Sequence, residues 1–277
     1  MDWACRAARQ SAMTDGVRRA WLSNAARLGD LAGWTCFDAG EDPDIVERYF
    51  LTAIALAGEA GDTQQRTHTA TSMSRHLTYH GRTDEALEVI DLARLGWRQL
   101  PPLGRAVIGI VEARAYGRVG DGEACRKAVE LCDDNFAASP SGGQHDLTWG
   151  YYADDAQILG DAGHAMFDVA MATGDEKQAA VTIDRLERAY ALHPPETVRS
   201  KALTMVRVAC LKTRHGDVSG GLNDAEVALA NARMVHSHRV VDDLRLLDTT
   251  LQHPRHRTDA RVGALRVGIA AVISGGV

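Results

Sequence analysis

Aromatic residues are scarce in this chain. Phe, Trp and Tyr together supply 15 of 277 residues, too few for the ring pairs and sandwich cores of an all-β fold. Proline is scarcer, with seven residues, which leaves long stretches free to run as helix. The five cysteines, Cys5, Cys36, Cys125, Cys132 and Cys210, are odd in number, scattered and without a C-x-x-C pair. That pattern excludes a disulfide framework or a zinc ribbon and reads as small buried hydrophobes in a reducing, cytoplasmic compartment. No run of Lys or Arg offsets the formal net charge of −6, so direct nucleic-acid binding is not expected. The longest late apolar stretch, Val262 to Ile273, contains Arg266; it is too short to span a bilayer, and no membrane association is expected. G-x-S-x-G, Walker-type and Rossmann glycine motifs are all missing, which disfavours hydrolase, kinase and dehydrogenase chemistry and implies no cofactor.

What the chain does have is glycine at regular intervals. Gly40, Gly81, Gly120, Gly174 and Gly216 each end a helix-patterned stretch, at spacings of 41, 39, 54 and 42 residues, the mark of a repeat array. Each unit reads as two antiparallel helices whose apolar faces need neighbours to be buried. The expected fold is therefore all-α, a superhelical solenoid of about five helical hairpins plus capping helices. Residues 1–24 form a leader, helical around Val17 to Ala26 with Asp15 as its cap. The repeats occupy 25–236, with a linker near 137–146 that accounts for the long interval. A long first helix of the fourth unit is expected from about Leu147 to Thr173, and capping helices within 237–277. Concave surfaces of this kind bind more often than they catalyse.

A small residue in the first helix, glycine at the turn and small residues in the second resemble the tetratricopeptide repeat. The first-helix small site falls on Gly33, Ser74, Ala113, Phe167 and Ala209, of which Phe167 departs from the pattern. The second-helix site falls on Ile45, Ala86, Cys125, Ala179 and Gly221. The segments LAGWTCFDAGEDPDIVERYFLTAIALAGEAGD, SMSRHLTYHGRTDEALEVIDLAR, VRSKALTMVRVACLKTRHGDV and SHRVVDDLRLLDTTL resemble the C-terminal repeat region of actinobacterial helix-turn-helix (XRE-like) transcriptional regulators. About 24 residues precede the array, so the DNA-binding domain of that family is expected to be missing here. The resemblance implies a sensor: a small molecule or peptide held in the concave groove, with a protein partner or a second copy reading the change.

The same resemblance assigns groove positions. They are Arg27, Asp30, Trp34 and Phe37, then His68, Thr71, Arg75 and Thr78, then Val107, Ile110, Arg114 and Gly117; the fourth unit offers Asp161, His164, Asp168 and Met171. Arg75 and Arg114 occupy equivalent sites on successive repeats, where they clamp a carboxylate or phosphate or pair with acidic neighbours. Trp149, Tyr151 and Tyr152 follow the linker and either stack on a ligand, with Trp34 opposite, or fill the wider gap. The ligand-binding candidates are Trp34, His68, Arg75, Arg114, Trp149, Tyr152 and Asp168. Asp154, Asp161 and Asp168 recur every seven residues with His164 beside them, an acid/base set if the scaffold has become an enzyme on a specialised metabolite, with Arg75 or Arg114 as counter-charge. A solvated acidic face, or a pure protein-binding scaffold, is the alternative. His76 and His80 have i, i+4 spacing but no third ligand, so no metal is expected and His80 reads as a helix C-cap.

Overall fold

The computed structural model describes residues 13–140, 147, 149–253 and 259–275. The described residues form twelve α-helices and two short 3₁₀ turns, with no strand. Within them no helix is long and apolar enough to cross a membrane. The chain divides into two compact units, Met1–Val119 with Glu123–Tyr152, and Gly120–Gly122 with Ala153–Val277.

The first unit holds α1 (Asp15–Ala39), α2 (Pro43–Ala60), α3 (Thr63–Tyr79), α4 (Thr83–Arg94), α5 (Pro102–Val119) and α6 (Gly122–Ala137), with 3₁₀ turns at Trp97–Gln99 and Gly150–Tyr152. The second holds α7 (Asp155–Thr173), α8 (Glu176–Leu192), α9 (Val198–Arg214), α10 (Val218–Ala232), α11 (His238–Leu251) and α12 (Ala260–Gly275). All five turn glycines have positive φ, between 69° and 101°, and Gly61 joins them at 70°. A side chain at those positions would strain the backbone, which is why glycine punctuates the chain there. Asp42, Asp62, Asp154, Asp175 and Asp217 each accept a backbone N–H and start the following helix, a carboxylate being the favoured partner of those orphan donors.

In the first unit α1 packs on α2, α2 on α3, and α3 on α4, while α1 also lies beside α3 and α3 beside α5. In the second, α7 packs on α8, α8 on α9, α9 on α10, and α7, α9 and α11 are neighbours in turn. The helices joined at Gly40, Gly81, Gly174 and Gly216 thus pack against one another. Close approach is set by small residues: a Cβ on Gly33 would stand 2.8 Å from the Phe50 ring, and one on Gly163 2.6 Å from Leu186. The fourth hairpin therefore finds its small site one turn before Phe167, which is buried in the core. Gly109 does the same one turn before Ala113, where a Cβ would meet the backbone of Ala128 and Cys132 at 3.1 Å.

Two expected boundaries differ. Thr14 rather than Asp15 caps α1, and the leader is continuous with the first repeat helix through Ala39, because nothing between them demands a break. The helix expected from Leu147 begins only at Asp155, after a 3₁₀ turn and the Asp154 cap. Helix α6 extends to Ala137; the remainder of the expected linker, 141–146, lies outside the described residues, as does Cys5. Each unit has its own core, built in the first on Phe37, Val46, Phe50, Met73 and Leu77 and in the second on Phe167, Leu186, Leu211, Leu222, Leu244 and Leu247.

Candidate functional site

Helix α3 carries the most unusual surface of the molecule. Eleven of its 17 residues are buried, and eight of these are polar: Gln65, Thr67, Thr69, Thr71, Ser72, Ser74, His76 and Thr78. Some find partners within the protein, Gln65 donating to Thr69 at 3.1 Å, Thr67 to the Ala93 carbonyl at 3.3 Å and Thr71 to the His68 carbonyl at 2.7 Å. Ser74 Oγ and Thr78 Oγ1 have no hydrogen-bond partner among the described residues. Each such buried orphan costs about 1–3 kcal/mol, so the polarity of this helix is not explained by packing.

At one end of α3 the side-by-side packing of α1 brings Asp30 to His68, whose Nε2 lies 3.1 Å from Asp30 Oδ2. The N-cap on Asp62 fixes where α3 begins and so places His68 about one and a half turns in. A carboxylate only accepts hydrogen bonds, so Nε2 carries a proton and donates it to Asp30. Trp149 lies flat on this ring, 4.6 Å between centroids and 11° between planes, and Tyr152 stands 5.8 Å from it. Asp30 and Trp149 are 8% and 5% exposed, whereas His68 and Tyr152 are half-buried, leaving the stack one edge toward solvent. Three of its buried polar atoms, Asp30 Oδ1, His68 Nδ1 and Trp149 Nε1, have no hydrogen-bond partner among the described residues.

Of the seven ligand-binding candidates, the structure gathers His68, Trp149 and Tyr152. Trp34 joins a different aromatic group instead, edge-on to Phe37 at 5.5 Å, with Tyr79 and His76 against the same ring. Arg75 lies two turns beyond His68 on α3 and Arg114 lies on α5, both half-buried. His80 is the C-cap residue of α3. His76 is almost fully buried, and burial first, then His80 and Arg82, lowers its pKa to about 4. It is therefore neutral at pH 7, and Glu47, 3.6 Å away, is matched by Arg82.

The candidate acid/base residues of the second unit lie along α7 and at its N-cap. Asp154 caps α7 by accepting from Gln157 N at 2.8 Å. Asp154 and Asp161 act on His193, whose pKa burial lowers against the pull of the two carboxylates. His164 faces Thr204 at 3.4 Å. Asp168 acts on Arg207, which forks onto Asp243 with contacts of 3.0 and 3.3 Å and lies 5.1 Å above the Phe167 ring. Burial alone would depress the Arg207 pKa; Asp243 and Asp168 more than offset this and raise it. Arg207 of α9, in the same unit, is thus one cation that Asp168 acts on. Among the described residues no group of three His, Cys, Asp or Glu side chains is placed to hold a metal ion.

Sequence reasoning did not single out Asp30, His193, Arg207 or Asp243 as site residues. Asp30 was legible as a groove position three residues before Gly33, but Arg207 sits two before Ala209, off the groove rule. No protein-family model matches this chain, and no curated protein is significantly similar to it. What fold and site define, among the described residues, is an all-α protein in which polar and aromatic side chains gather at the α1–α3 contact.

Proposed function

We propose that the chain is a ligand-responsive regulatory protein, its hairpins stacked within each unit in the manner of tetratricopeptide repeats, and that it works in the cytoplasm as the sensor half of actinobacterial helix-turn-helix regulators does. The neighbouring of α1, α3 and α5, and of α7, α9 and α11, supports the repeat reading. The observation that carries the function is the orphaned polar set at Asp30, His68 and Trp149 on a buried polar helix. A scaffold selected only to pack would replace these groups by apolar ones at no loss. A small molecule or peptide that satisfies them favours one arrangement of α1 against α3, and a protein partner or second copy reads the shift.

The test is thermal denaturation of the wild type, His68→Ala and Trp149→Ala in the presence of fractionated small-molecule extract from the source cells. A fraction should raise the wild-type Tm in a dose-dependent way and leave both variants unmoved. Stabilisation of all three proteins alike, or of none, would overturn the reading.

A further inference from the structure

Helix α1 presents an apolar line to solvent on the side turned away from its core. Leu22, Ala26, Gly29, Gly33 and Phe37 share its buried face. At about 100° per residue, Val17, Trp21, Asn24, Leu28, Leu31 and Thr35 fall within about 40° of one line on the opposite face. Val17, Leu28 and Leu31 are 53%, 66% and 60% exposed, Asn24 and Thr35 are exposed, and Trp21 is half-buried. Single exposed leucines need no explanation. These residues, however, follow one another at steps of 4, 3, 4, 3 and 4, the spacing that seats the side chains of one helix between those of another. Ala20 and Ala32 flank the line and are small enough to let a second helix approach.

Charge says which helix fits. The N-terminal half of α1 carries Arg18, Arg19 and Arg27; its C-terminal end carries Asp38, with Glu41, Asp42 and Asp44 directly after it. Arg18 and Arg27 touch Glu59 and Asp62 of their own chain at 2.5 and 3.9 Å, yet nearly half of each arginine side chain stays open to solvent. A second α1 laid antiparallel brings the basic half of each helix to the acidic end of the other, whereas a parallel one sets like charge beside like. With residue 28 opposite residue 31 of the second copy, Leu meets Leu twice about the two-fold axis, Asn24 meets Thr35, and Arg18 comes level with Glu41. The line is complementary to itself, as a two-fold interface requires, and a polar residue within such a seam fixes its register.

We infer that α1 is a dimerisation helix, pairing antiparallel with α1 of a second copy through Leu28 and Leu31. The overlap, Trp21 to Asp38, runs over about 27 Å. An interface of that length lies at the small end of specific contacts, so the dimer forms reversibly, with a Kd on the order of 10 µM. This goes beyond the ligand-sensing reading, because the seam is not on the buried face of α1 that meets α3.

Sedimentation equilibrium of the full chain, from about one to about two hundred micromolar, tests it. The mass should rise from 29.9 kDa toward twice that value. Leu28→Glu/Leu31→Glu should stay monomeric throughout with an unchanged melting curve, since both side chains are exposed. If that variant does not fold, Leu28→Ala/Leu31→Ala takes its place and should weaken the dimer about tenfold or more. Raising salt from about 0.05 to about 0.5 M should weaken the wild-type dimer several-fold, because unlike charges help to hold it. A monomer at every concentration, a dimer indifferent to both double substitutions, or one that salt strengthens would overturn the inference. No ligand is present in these measurements. A monomeric wild type therefore leaves ligand sensing standing with another partner as its reader, and failure of every extract fraction to stabilise the protein leaves the dimer standing.

Discussion

His76 shows what one buried titratable ring does to this protein. Its neighbours are Phe37 and His80 at 5.1 and 4.5 Å, Phe50 at 6.3 Å, Glu47 at 3.6 Å and the charge of Arg82. Neither ring nitrogen has a hydrogen-bond partner among the described residues, and burial, with His80 and Arg82, outweighs the pull of Glu47. In the unfolded chain the ring takes up its proton near pH 6.5, in the folded protein only near pH 4. Between these values the unfolded state holds more protons, and stability falls as the pH is lowered, by up to about 3 kcal/mol. Above pH 6.5 both states are neutral and the effect vanishes. His76→Phe, which keeps a ring among rings, should leave stability at pH 7.5 unchanged or higher and flatten the loss between pH 6.5 and 4. Urea denaturation across that range measures it; a residual slope is expected from His193, whose pKa burial also lowers, and near pH 4 from Glu85 and Glu123, whose arginine partners hold them below the usual range. An unchanged slope in the variant would show that His76 titrates normally.

Among the helices, stops were legible because they rest on local chemistry, a glycine that must take positive φ; the aspartates that cap the starts were not read as caps, and Asp15, which was, gives way to Thr14. What was not legible was absence of a break. The chain between Asp15 and Ala39 contains nothing that stops a helix, so leader and repeat became one rod, whereas the Asp154 cap restarts the chain inside a stretch whose pattern reads as continuous. Helix contacts were partly legible, since close approach needs a small residue but tolerates its sliding by one turn, as at Gly163 and Gly109. Gly221 and Gly58 separate the two roles of helical glycine. A Cβ on Gly221 would meet the Thr213 nitrogen at 2.8 Å and the Ala209 carbonyl at 3.0 Å, both backbone; at Gly58 it would meet nothing within 4 Å. Gly58→Ala should therefore stabilise by about 0.5–1 kcal/mol through helix propensity. Gly221→Ala should destabilise by about 1–3 kcal/mol, because overpacking against an unyielding backbone exceeds that gain. Urea midpoints of the two variants, shifting in opposite directions, are the check; a shared direction would mean that α9 and α10 are not held at the observed distance.

On the scale of the whole molecule, what the sequence made visible was which residues carry polarity and charge, and what it left hidden was their company. His68 and Trp149 are 81 positions apart, and only the packing of α1, α3 and the turn at Gly150 brings Asp30 and Trp149 to the same imidazole. The polar run of α3 was the available signal, since a helix that buries Thr and Ser in place of Leu has been kept for something other than its core. The electrostatic coupling of Asp168 to Arg207 was hidden for the same reason, since Arg207 comes from α9. The cores follow a simpler logic. One set of apolar side chains, around Phe37 and Phe50, belongs to the first unit, and another, around Leu211 and Leu244, to the second. Stability in a hairpin array is close to a sum of local and nearest-neighbour contributions, so damage to one core should stay near its source. Leu244 is completely buried among the α9–α11 side chains, and Leu244→Ala should cost about 2–5 kcal/mol there. Native-state hydrogen exchange should then show amides of α9 to α12 losing protection by that amount, while amides of α2 to α4 stay within about 0.5 kcal/mol of the wild type. An equal loss in α2 to α4 would mean that the chain opens as one cooperative block.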